Sequence, residues 1–476
     1  SDLFVGYAED SFTPSDFDLT PYIRDGKNVL AAQVHKRSTA AYLEDQDFFR
    51  FSGIFRDVTL YAKPEVHVED MWARAEVAED CRRGSFSLDL RLSRGNDSGP
   101  DSENGEFPGY SVRWSLFDGD GRAVARDEAP AAGSLRFGPV AVENVSLWDH
   151  HNPRLYHLEI TVLGPDGSEV EAVPYDVGFR RIEIRDQVIR LNGKRLIING
   201  VNRHEWNART GRVIGMEDMI RDMEILKANH INSVRTCHYP DQIPWYYMCD
   251  TCGIYLMAET NLESHGSWQK MGAVEPSWNV PGSLPQWREA VMDRARSNFE
   301  VFKNHTSVLF WSLGNESYAG DNLLAMQRFF KEADPGRPVH YEGVFHNRAY
   351  EDEISDMESQ MYAPPERVEA YLRNRPKKPF ILCEYMHDMG NSLGGLKSYM
   401  DLLDRYEMYQ GGYIWDFIDQ ALFVKDEVTG REVLRYGGDF DDRPSDYEFS
   451  GNGIVFADRT PKPAMQEVRY YYGLYD

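Results

Sequence analysis

Two glutamates stand where an apolar run stops. "SVLFWSLGNES" is apolar from Val308 to Trp311 and breaks off at Asn315-Glu316. "PFILCEYMH" is apolar from Phe380 to Cys383 and breaks off at Glu384. Two carboxyl groups facing each other across a cavity can cleave an acetal. One protonates the leaving oxygen while the other attacks the anomeric carbon or activates a water, and a gap of about 5 Å selects direct attack with retention. The acid needs its pKa raised by burial or a nearby negative charge. The nucleophile has to stay ionised, with Arg203, Arg235 or Tyr362 as the donors expected beside it. Asn315 is placed to bond a sugar 2-hydroxyl, and Trp415 to form an apolar floor under the ring.

Other apolar runs end the same way. They close on Asn202-Arg203-His204-Glu205, on Arg235 and His238, on Glu263 and His265, on Tyr362, on His387, and on Trp415-Asp416. Like carboxylates gathered in one volume repel, so such a collection points to function rather than stability.

The elements that gather them begin near residue 181. "RLIINGVNRHE", "INSVRTCHYP", "GIYLMAETNLESH", "SVLFWSLGNES", "PVHYEG", "ISDMESQMYA", "PFILCEYMH" and "GYIWDFIDQ" read as eight buried strands. Helical segments lie between them. "EDMIRDMEILKAN" puts Met219, Ile220, Met223 and Leu226 on one face, and "QWREAVMDRARSNFEVF" does so with Trp287, Val291, Ala295, Phe299 and Phe302. Eight β-α repeats predict a (β/α)8 TIM barrel over 181–476, with residues at the C-terminal strand ends converging on one mouth. Upstream, residues 64–180 read as short alternating strands split by "DGDG" and "PDG" turns, a β-sandwich that serves as a spacer. Residues 93–109 are polar, Gly-rich and predicted to be a mobile loop. Residues 1–63 alternate in "NVLAAQVHKR" and "RDVTLYAK" and read as the tail of a further β-domain.

Composition removes several classes. A formal charge of −25 repels phosphate backbones, so nucleic acid is not an expected partner. No apolar run reaches the ~20 residues of a membrane span. Five cysteines, with a single C-x-x-C at Cys249–Cys252, fit buried thiols in a reducing, cytoplasmic setting better than zinc or redox chemistry.

The motifs "NGVNRHE", "VRTCHYP", "ETNLESHG", "WSLGNES", "ILCEYMHDMGNSLGG", "GGYIWDFIDQAL" and "NGIVFADRTPKP" resemble those of glycoside hydrolase family 2, and the resemblance runs from about Gly6 to the end. "YLEDQDFFRFSGIFRDVTLY" is similar to the end of that family's sugar-binding domain. The resemblance implies a partial β jelly roll, an immunoglobulin-like β-sandwich and the barrel, in the order already read. It implies Glu316 as acid/base and Glu384 as nucleophile. It implies Mg2+ held by Glu263, His265 and Glu316, and Na+ held by Asp47, the Phe449 carbonyl and Asn452, beside the substrate 6-hydroxyl. His204, His238, Tyr362, His387 and Trp415 fall on substrate contacts. The activity implied is retaining hydrolysis of terminal β-D-galactosides, with β-glucuronidase or β-mannosidase as alternatives that the Asp47/Asn452 ion site disfavours. Family chains are longer and often homo-oligomeric, so a carbohydrate-binding fragment with little turnover is a further alternative.

Overall fold

The computed structural model describes residues 3–95, 107–270, 279–442, 445 and 447–476. Most of the loop expected at 93–109 therefore lies outside the described residues.

Seven strands form the sandwich: β1 (Val66–Val77), β2 (Arg83–Arg94), β3 (Ser111–Phe117), β4 (Ala123–Pro130), β5 (Ser134–Glu143), β6 (Tyr156–Leu163) and β7 (Glu169–Val177). One antiparallel sheet runs β1-β2-β5 and the other β4-β3-β6-β7. Period-two alternation decides which face is buried. β3 buries Val112, Trp114 and Leu116, and β6 buries Tyr156, Leu158, Ile160 and Val162, all into one core.

A small antiparallel sheet follows, β8 (Ile182–Arg185), β9 (Val188–Leu191) and β10 (Lys194–Arg195). It closes the N-terminal end of the barrel. Ile189 and Leu191 pack with Ile198, Tyr255, Leu309 and Ile381, and Gln410 bonds both the N–H and the carbonyl of Ile189 at 3.1 and 3.2 Å.

The barrel strands are β11 (Ile198–Arg203), β12 (Ser233–Thr236), β13 (Tyr255–Glu259), β14 (Val308–Ser312), β15 (Val339–His340), β16 (Glu358–Met361), β17 (Phe380–Tyr385) and β18 (Tyr409–Ile414). They are parallel and ordered β15-β14-β13-β12-β11-β18-β17-β16. All eight expected strands are present. Apart from half-buried Met361, every one of their residues is buried, as a sheet covered on both faces requires. β15 and β16 meet through one backbone bond, Asp356 N–H to the Val339 carbonyl at 2.8 Å, and through His340 Nε2 against Ser359 Oγ at 2.7 Å.

Two expectations need correction. In the helix Met216–Ala228, Met219, Met223 and Leu226 are buried as expected, but Ile220 is 47% exposed and Ile225 takes its place. Ile220 lies about 100° around the helix from Met219, off the stripe that the i, i+3, i+4 spacing defines. In residues 3–65 the strands read at "NVLAAQVHKR" and "RDVTLYAK" do not form. Val29 and Leu60 are 81% and 83% exposed. A strand needs a neighbour to take its backbone hydrogen bonds, and among the described residues these segments have none. The part that is held, 40–50, lies on the barrel. Arg294 donates to Glu44 at 2.7 Å, Gln46 donates to Asn261 at 2.9 Å, and Phe49 stacks on Trp206 at 5.3 Å. This contact brings Asp47 to the mouth.

Candidate active site

Alternation along the strands decides which polar residues face inward. In β11, Asn202 points into the barrel and donates to the Cys383 carbonyl at 2.9 Å. Its neighbour Arg203 must therefore point out. Arg203 pairs with Asp222 and Asp241 at 2.8 and 2.7 Å and lies 3.8 Å over the Trp245 ring, so it does not serve Glu384 as expected. Glu205 is likewise structural, accepting from Arg56 at 2.8 Å and from Gln242 N–H at 2.7 Å.

Arg235, on β12, is the centre of the inward set. Its guanidinium donates to Glu384 Oε1 at 2.7 Å, to Asn202 Oδ1 at 3.0 Å, to Asn315 Oδ1 at 2.9 Å, and to both oxygens of Glu259 at 2.7 and 3.2 Å. Tyr362 donates to the other Glu384 oxygen at 2.6 Å. Two of the three expected donors thus hold this carboxylate. Burial raises the Glu384 pKa, Arg235 pulls it down, and the Glu316 charge pushes it up again, leaving it at about 7. Burial first, then Glu384 and Glu316 together, hold the Tyr362 phenol well above its usual range.

Glu316 sits beyond the end of β14 with φ at +34°, Tyr362 beyond β16 at +51°, and Met386 beyond β17 at +55°. Non-glycine residues held in that region carry strain that the surrounding structure has to sustain, and such strain concentrates at functional sites. Glu316 N–H donates to Glu342 Oε1 at 2.8 Å. By accepting from Arg235, Asn315 has its amide oxygen fixed, and its NH2 is left as a donor for a ligand.

Three rings form the floor. His238 stacks on Trp415 at 5.1 Å and 7°, while His204 stands edge-on to Trp415 at 5.6 Å and 86°. His238 Nδ1 bonds Glu259 at 2.7 Å, and Nε2 lies 3.6 Å from Glu384. His204 Nδ1 meets the Tyr239 hydroxyl at 3.1 Å, and its buried Nε2 has no protein partner. Burial, with neighbouring positive charge, keeps both imidazoles neutral, well below their usual range. His387 stands edge-on to Tyr362 at 5.6 Å, and burial lowers its pKa too.

Asp47, Glu263, His265 and Glu316 form a second group with donor atoms within 4.8 Å of one another. His265 Nδ1 is 2.6 Å from Glu316 Oε2 and 3.4 Å from Glu263 Oε1, and Nε2 is 3.6 Å from Asp47. Glu263 Oε2, Glu316 Oε2 and His265 Nδ1 are nevertheless buried without an aligned hydrogen bond. They lie close to one another in a geometry short of an aligned hydrogen bond. Burial, then the charges of Asp47 and Glu316, push Glu263 well up. Burial opposes charge on His265, yet Glu263, Glu316 and Asp47 outweigh it and lift its pKa to about 11. Three carboxylates and one imidazole fit a hard divalent cation, with His265 the weakest ligand. Asp47, expected with Phe449 and Asn452, is found against His265. Asn452 Nδ2 donates to the Phe449 carbonyl, and Asn452 Oδ1 is buried without a protein partner.

Sequence reasoning missed two carboxylates here. β13 ends at Glu259, short of the Glu263 and His265 on which the sequence pattern "GIYLMAETNLESH" closes. Glu342 follows the fifth strand as Glu316 follows the fourth. Burial pushes it up to about 8 although Arg235 pulls it down. Strand-end position, the signal that drew attention to Glu316, applies to Glu342 equally. Cys249 is a buried and Cys252 a half-buried free thiol at the end of the helix Ile243–Cys252.

Residues 182–475 match the model "Glycosyl hydrolases family 2, TIM barrel domain", residues 1–64 that family's sugar binding domain, and residues 66–180 "Glycosyl hydrolases family 2". The beta-galactosidase large subunit of Lactobacillus acidophilus is 60% identical over 473 residues, which are 99% of this chain and 73% of that one. That of Leuconostoc lactis is 59% identical, over 99% and 74%. The solved β-D-glucuronidase of Dictyoglomus thermophilum superposes with a TM-score of 0.68 at 20% identity, covering 91% of this chain and 72% of that one, a likeness of fold alone. A buried carboxylate clasped by an arginine and a tyrosine in a barrel mouth, and family matches that run almost end to end, lead to one statement: the chain belongs to glycosyl hydrolase family 2.

Proposed function

We propose that the chain is the catalytic part of a retaining β-galactosidase, with Glu384 as nucleophile and Glu316 as acid/base. The observation that carries the chemistry is Glu384 fixed at 2.7 Å by Arg235 and at 2.6 Å by Tyr362, facing the field of Glu316. The choice of sugar rests on the relatives named beta-galactosidase at 60% identity, far above the 20% of the glucuronidase fold neighbours.

The galactose ring lies over Trp415 and His238, with His204 Nε2 and the Asn315 NH2 free to bond its hydroxyls. Glu316 gives its proton to the glycosidic oxygen as Glu384 attacks the anomeric carbon, and the aglycone leaves. Glu316, now a carboxylate, takes a proton from water, which attacks the galactosyl ester and restores Glu384. Arg235 and Tyr362 orient the nucleophile and favour its anionic form. Asn452 and the Phe449 carbonyl are assigned to Na+ near the 6-hydroxyl, while Asp47 lies with the His265 group instead. Assays with aryl β-galactoside, β-glucuronide and β-mannoside in parallel test the reading. The galactoside should give the highest kcat/KM, and a better glucuronide would reject it.

Glu384 must be ionised to attack. Its pKa of about 7 means that kcat/KM falls as pH drops below that value, through a single ionisation. A pH–rate profile locates this limb. A limb near the ordinary glutamate range of ~4.3 would contradict the assigned environment.

A Mg2+ held by Glu263, His265 and Glu316, with Asp47 beside it, would supply fixed positive charge next to the acid/base carboxylate. Chelation should lower kcat, and Mg2+ should restore it. Glu263→Gln should weaken the half-saturating Mg2+ concentration by at least about tenfold, read by titrating activity and by calorimetry.

A further inference from the structure

The barrel has a second cluster of ligating side chains at the end away from the mouth. His150 and His151 lie in the connection between β5 and β6, between the bridged residues Trp148 and Pro153, and they dock where the chain enters β13. Trp148 Nε1 donates to the Asp250 carbonyl at 2.8 Å, and His150 N–H donates to Tyr255 Oη at 3.0 Å. His150 Nδ1 meets the Gly253 carbonyl at 2.8 Å. A carbonyl only accepts, so the ring proton sits on Nδ1 and Nε2 carries a lone pair. Burial, then the Lys227 charge, push the His150 pKa down to about 4, so the ring is neutral. Its Nε2 faces Asp476 Oδ1 at 3.3 Å, and His151 Nε2 lies 4.0 Å from the same oxygen. Three electron-rich atoms thus converge within 4.8 Å of one another.

A tetrahedral ion with bonds of about 2.0–2.2 Å holds its ligand atoms about 3.3–3.5 Å apart. His150 and Asp476 already have that spacing. His151 Nε2 is 4.0 Å from Asp476 Oδ1, and its side chain, 68% exposed, has room to move the remaining distance. The other Asp476 oxygen bonds His230 Nδ1 at 2.6 Å, which turns Oδ1 toward the two imidazoles. A ring that orients a ligating carboxylate in this way is a recurrent outer support of metal centres. Lys227 is nearby, but its ammonium is engaged by the carbonyls of His150 and Cys252 at 3.3 and 3.1 Å.

We propose that His150, His151 and Asp476, with His230 as a positioning residue, bind a divalent ion of the zinc class and clip the sandwich to the far end of the barrel. Two imidazoles and one carboxylate suit zinc, whereas Mg2+ prefers oxygen. The fourth position is open to water.

The test is a Co2+ titration of the whole chain in excess Mg2+, which occupies the oxygen-rich group at the mouth. The parent should show the intense visible bands of four-coordinate Co2+. His151→Ala should weaken Co2+ binding by at least about tenfold, as should Asp476→Asn. His157→Ala, an exposed histidine beside Asp176 and Glu159, should leave the spectrum unchanged. Zn2+ should raise the thermal midpoint of the parent and not that of His151→Ala, with hydrolysis of an aryl galactoside equal in both. An intense Co2+ spectrum that survives His151→Ala overturns the proposal. So does a spectrum lost only with Glu263→Gln, or the absence of a four-coordinate spectrum in the parent. Because His151 is exposed, its variant decides the matter even if Asp476→Asn fails to fold.

Discussion

Glu384→Gln is expected to lower kcat for an aryl β-galactoside by about four to six orders of magnitude, with KM changed far less. The amide keeps the volume of the carboxyl group, and its oxygen still accepts from Arg235, so the fold survives. What is lost is the anion that forms the covalent bond. Added azide separates the two glutamates by stereochemistry. In Glu384→Ala, azide enters from the nucleophile's side and gives the α-galactosyl azide. In Glu316→Ala, the galactosyl-enzyme still forms and azide gives the β product. Parent-like turnover of Glu384→Gln, or β-azide from Glu384→Ala, would remove Glu384 from the nucleophile's role.

Arg235→Met should have the second largest effect, and it acts on two quantities at once. One buried guanidinium serves Glu259, Glu384, Asn202 and Asn315. Its loss leaves two buried carboxylates without their cation, a change that costs about 3–5 kcal/mol of stability. Burial already raises Glu259 and Glu384 to about 7 against the pull of Arg235, and without it they rise further. The sign follows from proton binding. Between the ordinary glutamate value and the raised folded one, the folded chain holds more protons than the unfolded chain. Stability therefore falls as pH rises across that window, and more steeply in the variant. Denaturant midpoints at pH 5 and pH 8 measure this. Activity at pH 7 should drop by at least about 10²–10³, because one donor is lost and Glu384 stays protonated. Arg203→Met is the control. It removes a buried pair with Asp222 and Asp241, so it should cost stability while leaving the acid limb of the rate profile in place. Equal shifts of that limb in both variants would mean that Arg235 does not set the ionisation of Glu384.

The barrel was legible because its signal is local. An apolar run such as Val308-Leu309-Phe310-Trp311 followed by polar residues marks both a buried strand and its mouth end, and eight of them counted out the fold. The same local signal located Glu316, Glu384, Tyr362, His238 and Trp415. It failed where the answer depended on which way a residue points. Arg203 and Arg235 occupy similar places near the ends of β11 and β12, yet one turns outward and the other inward, a difference of one residue in register. At Glu342 the strand itself was legible as "PVHYEG", and the residue beyond it carries the same strand-end signal as Glu316 although β15 is only two residues long. In the N-terminal segment, alternation marks strands correctly only if a neighbour exists to pair with them. The grouping of Asp47 with His265 was beyond local reading too, since it depends on how 40–50 lies across the barrel.

The place where the barrel's fifth and sixth staves meet has a consequence for the chemistry. His340, which touches Ser359 there, also bonds Ser312, and Ser312 donates to Glu259 at 2.7 Å. Glu259 holds Arg235, and Arg235 holds Glu384. The girth of the cylinder at its least laddered point and the poise of the attacking oxygen are thus fixed by one continuous relay of side chains. A neutral imidazole far from any sugar is thereby part of what keeps the nucleophile aimed.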